Sequence, residues 1–230
     1  ADALTLRLQA EGLLPARLHR DAAPVRLDGP LNLAVRGLPT PARPDATPTV
    51  AVDATLTGRW TGASRGAGEL PALRLRLAGE ASARHVLITQ AEARGGADSS
   101  AALARLSGRA DAQAGGWRIA AQATLADFDP RPWWRGPDGS AWRRGPHRLQ
   151  GEAEARLLWR PRAGAGGLQS LLDSLQGDAR LRLDDSLLAG VPLAGEAALR
   201  RDGTAGGARL QAGLAAGGNR IDLQAEAGNP

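Results

Sequence analysis

The sequence contains no cysteine, no methionine, no lysine and no tyrosine, and phenylalanine occurs once in its 230 residues. A chain without cysteine forms neither disulfides nor thiolate metal sites, which suits the cytosol and the periplasm equally. No apolar run approaches the roughly 20 residues that a membrane-spanning helix needs, and no signal peptide is visible. Because the first residues already alternate like a strand, we expect a piece of a longer protein whose anchor lies elsewhere.

Arginine alone carries the positive charge. The 29 basic residues exceed the 24 acidic ones, which gives a net charge of +5 and an isoelectric point near 11.2. Such values are typical of nucleic-acid-binding proteins when the basic residues form a patch. Here the acidic residues are nearly as frequent, and the abundance of Ala, Gly, Arg and Pro is what a GC-rich genome produces. We therefore expect a mixed, solvated surface and no nucleic-acid partner.

Apolar and polar residues alternate with a period of two along most of the chain. Between residues 50 and 60, Val50 and Val52 fall on one face, whereas Asp53 and Thr55 fall on the other. Successive side chains of a strand point to opposite faces, so this pattern predicts strands with one apolar and one wet face. Parallel sheets between helices show continuous apolar runs instead. We predict an antiparallel meander of about eleven or twelve strands.

Three stretches depart from the alternation. Leucines at 168, 171, 172 and 175, followed by Gly177, predict one short amphipathic helix near 168–176 that packs over the sheet. The Pro-rich residues 39–48 predict a surface loop. The loop 129–146 is a candidate break within an otherwise repetitive, elongated β domain covering 1–230. Turns are expected at Gly95-Gly96, Gly115-Gly116, Asp184-Asp185, Asp202-Gly203 and Gly217-Gly218-Asn219.

Small residues occupy many positions of the predicted apolar face. Facing walls of a sandwich normally meet through bulky side chains, and a single Phe leaves few of these. The space can be closed by tight packing or kept open as a groove, and the sequence leaves both alternatives. The small positions are Ala54, Gly58, Ala121, Ala123, Gly151, Ala153, Ala155, Ala212 and Ala225.

A succession of short phrases carries a family resemblance. A strand ending in a "DFDP" corner is followed by "L-x-G-x-a-x-l-x-l", then "aG-x-p-l-x-G", then "G-x-N-x-i-x-l". The phrases occupy residues 117–130, 145–151, 175–183, 188–195 and 208–223. This cadence resembles the repeats of the TamB and AsmA-like family of the translocation and assembly module, and it covers roughly residues 103–227.

The resemblance implies an elongated, curved, taco-like antiparallel sheet with a hydrophobic inner groove. It implies a periplasmic location, a tether to the inner membrane outside this sequence, and an outer-membrane TamA-like partner contacted by parts absent here. It further implies outer-membrane biogenesis, protein secretion by autotransporter assembly, and lipid transport. Residues expected to line the groove are Val50, Val52, Leu56, Leu73, Leu75, Leu77, Ile119, Leu125, Leu149, Leu157, Leu181, Leu183, Leu210, Ile221 and Leu223.

We therefore expect a non-enzymatic conduit or scaffold. Its cargo would be lipid acyl chains along the apolar face, or strands of unfolded outer-membrane proteins added at a sheet edge. The alternative is a structural β-solenoid or adhesin-type surface protein, but such solenoids show short, strict coil repeats that are absent here.

Catalytic and cofactor motifs are poorly represented, so we expect no enzyme activity, no cofactor and no metal. The histidines His19, His85 and His147 are scattered and lack metal-ligand spacing. Glu152 and Glu154 could form a carboxylate pair but fall on the polar face. Ser99-Ser100 lacks a nucleophile elbow.

Two further motifs have both a structural and a functional interpretation. The run Gly164–Gly167 lacks the third glycine of a dinucleotide fingerprint, so a flexible turn is favoured. The clusters Trp133-Trp134-Arg135 and Trp142-Arg143-Arg144 could stack bases or contact lipid headgroups. We favour structural packing, with a lipid or cargo contact as the second choice.

Overall fold

The computed structural model describes residues 3–18, 22, 24–41, 43–61, 72–95, 103–130, 145–160, 174–201 and 207–227. These residues form a single antiparallel sheet of twelve strands, ordered from β1 to β12 as they occur in the chain. One short helix, α1 (Pro15–Leu18), is also present. The strands are β1 (Ala3–Leu13), β2 (Val25–Arg36), β3 (Thr49–Trp60), β4 (Leu73–Ala81), β5 (His85–Gly95), β6 (Leu103–Gln113), β7 (Gly116–Phe128), β8 (Leu149–Trp159), β9 (Leu175–Leu188), β10 (Val191–Arg201), β11 (Ala208–Ala216) and β12 (Asn219–Ala227).

The predicted fold class is confirmed. Every strand pairs antiparallel with its neighbours in sequence, and β1 and β12 do not pair with each other, so the described sheet is open. Short hairpins follow the glycine signals: Gly115 (φ 74°) links β6 to β7, and Gly217 (φ 55°) with Gly218 (φ 85°) links β11 to β12. Glycine suits these turns because it adopts positive φ without steric cost.

The two predicted loops lie between strands. Residues 39–48 connect β2 to β3 and contain a single isolated bridge, Thr40 to Arg43. Residues 131–144, with the Trp and Arg clusters, lie outside the described residues, as does the predicted turn Asp202-Gly203. Because β7 pairs directly with β8, the sheet continues across the loop 129–146. The proposed domain break there stays a prediction.

The helix predicted near 168–176 is wrong at its C-terminal end. Residues 168–173 lie outside the described part and Ser174 is helical, whereas Leu175, Gln176 and Gly177 belong to β9. Gly177 does not close a helix. It lies beside β8 with φ 121°, where a Cβ atom would come within 2.1 Å of the Arg156 carbonyl oxygen. Glycine here permits a close approach between two strands. In the sequence alone, such a glycine looks the same as one that ends a helix.

The turn predicted at Asp184-Asp185 is also wrong, because both residues form a bulge within β9. The ladder to β10 is regular up to Leu183 and resumes at Ser186, and Asp185 takes φ 38° between them. The Ser186 hydroxyl, buried to 2% exposure, donates to the Gln150 carbonyl at 3.0 Å and accepts from the Gln150 N–H at 2.9 Å. Its side chain thus connects β9 to β8 at the bulge, and backbone pairing resumes at the Arg148–Leu187 bridge.

Buried apolar side chains are few and clustered at one end of the sheet. Within the described ranges, Val25, Leu27 and Leu73 are 2–4% exposed and form the core cluster. Leu56, Leu75, Trp60 and Ala93 pack against it. The rest of the sheet is a single layer, so its apolar side has no second layer to meet among the described residues. No helix in the described part is long and apolar enough to cross a membrane.

Candidate functional site: an uncovered apolar face

The register of the ladders joins apolar side chains from the first strand to the last. Cross-strand partners lie on the same side of a sheet, so each chain of partners marks one face. We call the side marked by the following row the apolar face. The row runs Leu8, Leu31, Ala54, Leu77, Ala91, Leu106, Ala123, Ala153, Leu181, Ala197, Ala212 and Leu223.

Many large side chains of this face are exposed to solvent. Leu8 is 47% exposed on β1, Leu77 and Leu106 are each 40% exposed in the middle of the sheet, and Leu223 is 46% exposed on β12. Single exposed leucines are ordinary on soluble proteins, but a contiguous apolar surface of more than a few hundred Å2 marks an interaction site. The row crosses eleven strand spacings, or about 50 Å. The apolar face is therefore a candidate interaction surface.

The centre of the face is a hollow lined by alanines. Its floor is Ala121 and Ala123 of β7, Ala153 and Ala155 of β8, Ala179 of β9 and Ala197 of β10, and we call it the alanine trough. Its volume is about 370 Å3, within the range of small-molecule pockets. Larger apolar side chains border these alanines: Leu106 of β6, Leu181 of β9, Leu199 of β10 and Leu210 of β11. Small side chains between larger ones thus form a channel that crosses the strands.

Both outcomes foreseen for the small residues occur, in different places. At Gly58 the space is closed, because a Cβ atom there would lie 2.9 Å from Val25 and 3.0 Å from Leu27. Ala54 is likewise buried. In the alanine trough no layer formed by the described residues fills the space, although the same residue type is used. The two places differ because Gly58 and Ala54 lie on β3 beside the core cluster, whereas the trough lies away from it.

The fifteen residues expected to line a groove all lie on the apolar face by register. Leu181 and Leu210 border the alanine trough directly. Leu73 instead lies in the core cluster with 2% exposure, and Leu56 and Leu75 pack against that cluster. These three offer little surface to a ligand. Contact between cargo and the remaining residues stays a prediction.

The opposite face carries rows of alternating charge. Glu154 faces Arg180 at 3.7 Å, Asp178 faces Arg200 at 3.8 Å, and the side chains of the first pair are 55% and 74% exposed. Exposed pairs of this kind contribute little to stability. They do keep this face hydrated, so the two sides of the sheet differ sharply in polarity.

One carboxylate of the polar face is much less exposed than the others. Glu92 of β5 is 9% exposed and accepts hydrogen bonds from Arg94 of its own strand and from Arg105 of β6 at 3.0 Å. The hydrogen bond from Arg94 is the main reason that the pKa of Glu92 is lowered to about 2. Hydrogen bonds from Arg105 and from Gln90, the latter at 3.2 Å, lower it further, whereas burial acts in the opposite direction. This cluster fastens β5 to β6.

A second hollow, of about 700 Å3, lies on the polar face across β7 to β12. Its walls include Glu152, Arg182, Glu196, Gln211 and Gln224, so both signs of charge and amides are mixed. The alternation did not predict this hollow, because it says nothing about the curvature of the sheet. Water forms hydrogen bonds with the polar groups of these walls, whereas the alanine trough is lined almost entirely by apolar surface.

The candidate catalytic residues are not brought together. Glu152 and Glu154 lie on the polar face opposite Arg182 and Arg180. His85 Nδ1 lies 2.7 Å from Asp111 Oδ1 across the β5–β6 pair. No group of three or more metal-ligating side chains occurs within the described ranges. His19, Ser99-Ser100 and Gly164–Gly167 lie outside them.

The buried His147 precedes β8 in the chain and lies near the β9–β10 turn in space. It is 6% exposed, and its Nδ1 accepts a hydrogen bond from the Ala189 N–H at 3.2 Å. The same turn is bonded at Gly190, whose N–H donates to the Pro146 carbonyl at 2.9 Å. His147 therefore has a structural contact that connects the start of β8 to the turn.

Comparisons of the chain with protein-family models, with curated proteins and with solved structures find no significant match.

Proposed function

We propose that this chain is a non-enzymatic scaffold of the TamB type that holds lipid acyl chains along its apolar face. The observation that carries the proposal is an uninterrupted apolar face, crossed by a trough lined by alanines and open to solvent. No chemistry is needed for this role. A surface of low polarity lowers the cost of moving greasy cargo through water.

The energetic gain is large compared with that of a single contact. A methylene prefers an apolar surface by about 0.8 kcal/mol, so exposing some fifteen methylenes to water costs roughly 12 kcal/mol. Even partial cover by one face recovers several kcal/mol of this. Residues from β6 to β11 line the trough, so it crosses five strand spacings, or about 24 Å. Half of a bilayer's hydrocarbon core is about 15 Å thick, so one acyl chain fits this length.

The proposed setting is the periplasm. There the chain would be tethered to the inner membrane and joined to an outer-membrane TamA-like partner through parts outside this sequence. Phospholipid transport between the membranes follows from the acyl-chain site. Support for outer-membrane protein assembly comes from a different feature, the outer sides of β1 and β12, which pair with no other described strand, because an unfolded polypeptide adds a strand at such an edge.

The alternative is a structural β-solenoid or adhesin. Consecutive strands of this sheet pair antiparallel, whereas the coils of a solenoid stack their strands in parallel. The exposed leucines of the apolar face would also be a liability on a purely structural surface protein. Both observations favour the scaffold.

A photo-crosslinking experiment tests the proposal. A crosslinking amino acid replaces Leu181, which borders the trough, and in a matched variant it replaces Arg182, the next residue of β9 on the polar face. We expect lysophosphatidylcholine to be captured at position 181 and not at 182. A second pair, at Leu106, which also borders the trough, and at Ser107, the next residue of β6 on the polar face, extends the test to the middle of the sheet. Equal capture on both faces would refute the proposal.

A further inference from the structure

The apolar face is large enough to support a stable dimer. It is about 50 Å wide, and strands of some nine paired residues make it about 30 Å long, or roughly 1,500 Å2 on each copy. A standard protein interface buries about 800 Å2 on each partner. Two apolar sheet faces pack with about 10 Å between them and their strands within about 30° of each other. Without lipid, a second copy is the apolar partner that is always present.

The two halves of the face differ in side-chain size. The central positions of β1 and β2 are all leucine (Leu6, Leu8, Leu31 and Leu33), and on β3 to β6 the same two rows alternate between large side chains and alanine or glycine. On β8 to β12 the same two rows contain mostly alanine. These alanines are Ala153, Ala155, Ala179, Ala197, Ala212 and Ala225.

A two-fold axis that runs along the strands, between β6 and β7, places these halves opposite each other. Under this rotation β1 of one copy lies over β12 of the other, and β4 lies over β9. The leucines of β1 and β2 then lie over β12 and β11 of the partner, and the floor of the alanine trough on β7 to β10 lies over β6 to β3, whose large side chains on this face include Leu106, Ile88 and Leu77. An isologous contact of this kind is self-complementary and closes at two copies.

Electrostatics permits the same arrangement. The central rows of the apolar face contain no charged side chain, and the arginine and carboxylate rows lie on the other side of the sheet. Dimerisation through this face therefore buries no unpaired charge, which would otherwise be costly. The polar faces point outward on both copies and remain hydrated.

We infer that two copies of this chain pack their apolar faces together in water, as a two-fold sandwich, and that lipid competes with the second copy for the same face. The unoccupied form is then a closed dimer, and the cargo-bound form is a monomer whose face is covered by acyl chains. Because the dimer must dissociate before cargo binds, the face binds only cargo whose apolar surface is comparable with that of a second copy. The inference that lipid competes with the second copy rests on the proposed function. The inference that a dimer forms rests only on the size and composition of the apolar face.

The test is the molar mass of the 230-residue chain in detergent-free buffer, measured by sedimentation over a range of concentrations. We expect a mass of twice 23.8 kDa that falls to 23.8 kDa on dilution. Lysophosphatidylcholine below its micelle concentration should shift the distribution toward the monomer. A monomer at all concentrations would overturn the inference, as would a dimer that binds lipid without dissociating.

A matched pair of variants locates the interface. Leu106 of β6 is 40% exposed on the apolar face beside the axis, and Ser107 is the next residue on the polar face. Leu106→Asp should raise the dimer dissociation constant about 100-fold or more, because two carboxylates would be buried near each other. Ser107→Asp should leave it unchanged. If both variants dissociate equally, the interface lies elsewhere.

Two controls keep the outcomes distinct. Circular dichroism checks that Leu106→Asp is folded, and Leu8→Asp on the edge strand β1, 47% exposed, replaces it if it is not. A dimer that forms but takes no lipid would contradict the proposed function and leave the closed dimer standing. A monomer that takes lipid at position 181 would do the reverse.

Discussion

The position of the core can be tested with two leucines of the same strand. Leu73 and Leu77 lie on the same face of β4, four residues apart, but Leu73 is 2% exposed and Leu77 is 40% exposed. Replacing each with alanine removes the same three carbon atoms. If the core cluster is where the structure places it, the two substitutions have very different costs.

The magnitudes follow from burial. Three methylene equivalents at about 0.8 kcal/mol correspond to about 2.4 kcal/mol, and Leu73→Ala also leaves a cavity against Val25 and Leu27. We therefore expect its free energy of unfolding to fall by about 3–4 kcal/mol. For Leu77, only the buried share of the side chain counts and no closed cavity forms, so the expected loss is about 1.4 kcal/mol or less.

Equilibrium urea unfolding measures the difference, with the fluorescence of Trp60, which packs against the core cluster, as one probe. Circular dichroism gives an independent probe of the strands. Protein concentrations must lie in the monomeric range, because a second copy would cover Leu77. Equal losses for the two variants would refute the assignment of the core to β2–β4 and, with it, the exposure of the remaining apolar face.

The remaining predictions concern the trough and the acid stability. Ala155→Leu places three carbons in the trough and should weaken lysophosphatidylcholine binding by up to about 50-fold, measured by calorimetry, whereas Ala120→Leu on the polar face should not. Because the pKa of Glu92 is lowered to about 2, its stabilisation is complete above the unfolded-state value near 4.5 and is lost as pH falls through 2. Glu92→Gln should therefore flatten the fall of unfolding free energy between these pH values, and an unchanged slope would contradict this.

The strands and their faces were predictable from local pattern. Period-two alternation assigns Val50 and Val52 to one side of β3 and Asp53 to the other, and the register agrees with this along the sheet. The antiparallel meander follows because short glycine turns, such as the one at Gly115, leave no room for a crossover. These features depend only on neighbouring residues.

The errors arose where a glycine or an acidic pair has more than one structural use. Gly177 resembles a helix stop, but its function is a close approach to Arg156 of the neighbouring strand. Asp184-Asp185 resembles a turn, but the strand continues past it because Ser186 bonds to the backbone of β8. Such choices depend on partners that are distant in sequence, so local pattern cannot make them.

The sequence by itself determined that this chain has one apolar and one polar side, since alternation along a strand assigns every side chain to a face. Only the tertiary structure decided where that apolar side is filled and where it is bare. Ala54 and Ala153 have the same side chain, yet the first is 4% exposed and the second borders the open trough. The physical reason is that burial depends on which layer comes to lie over a face, and a face pattern alone does not specify that layer.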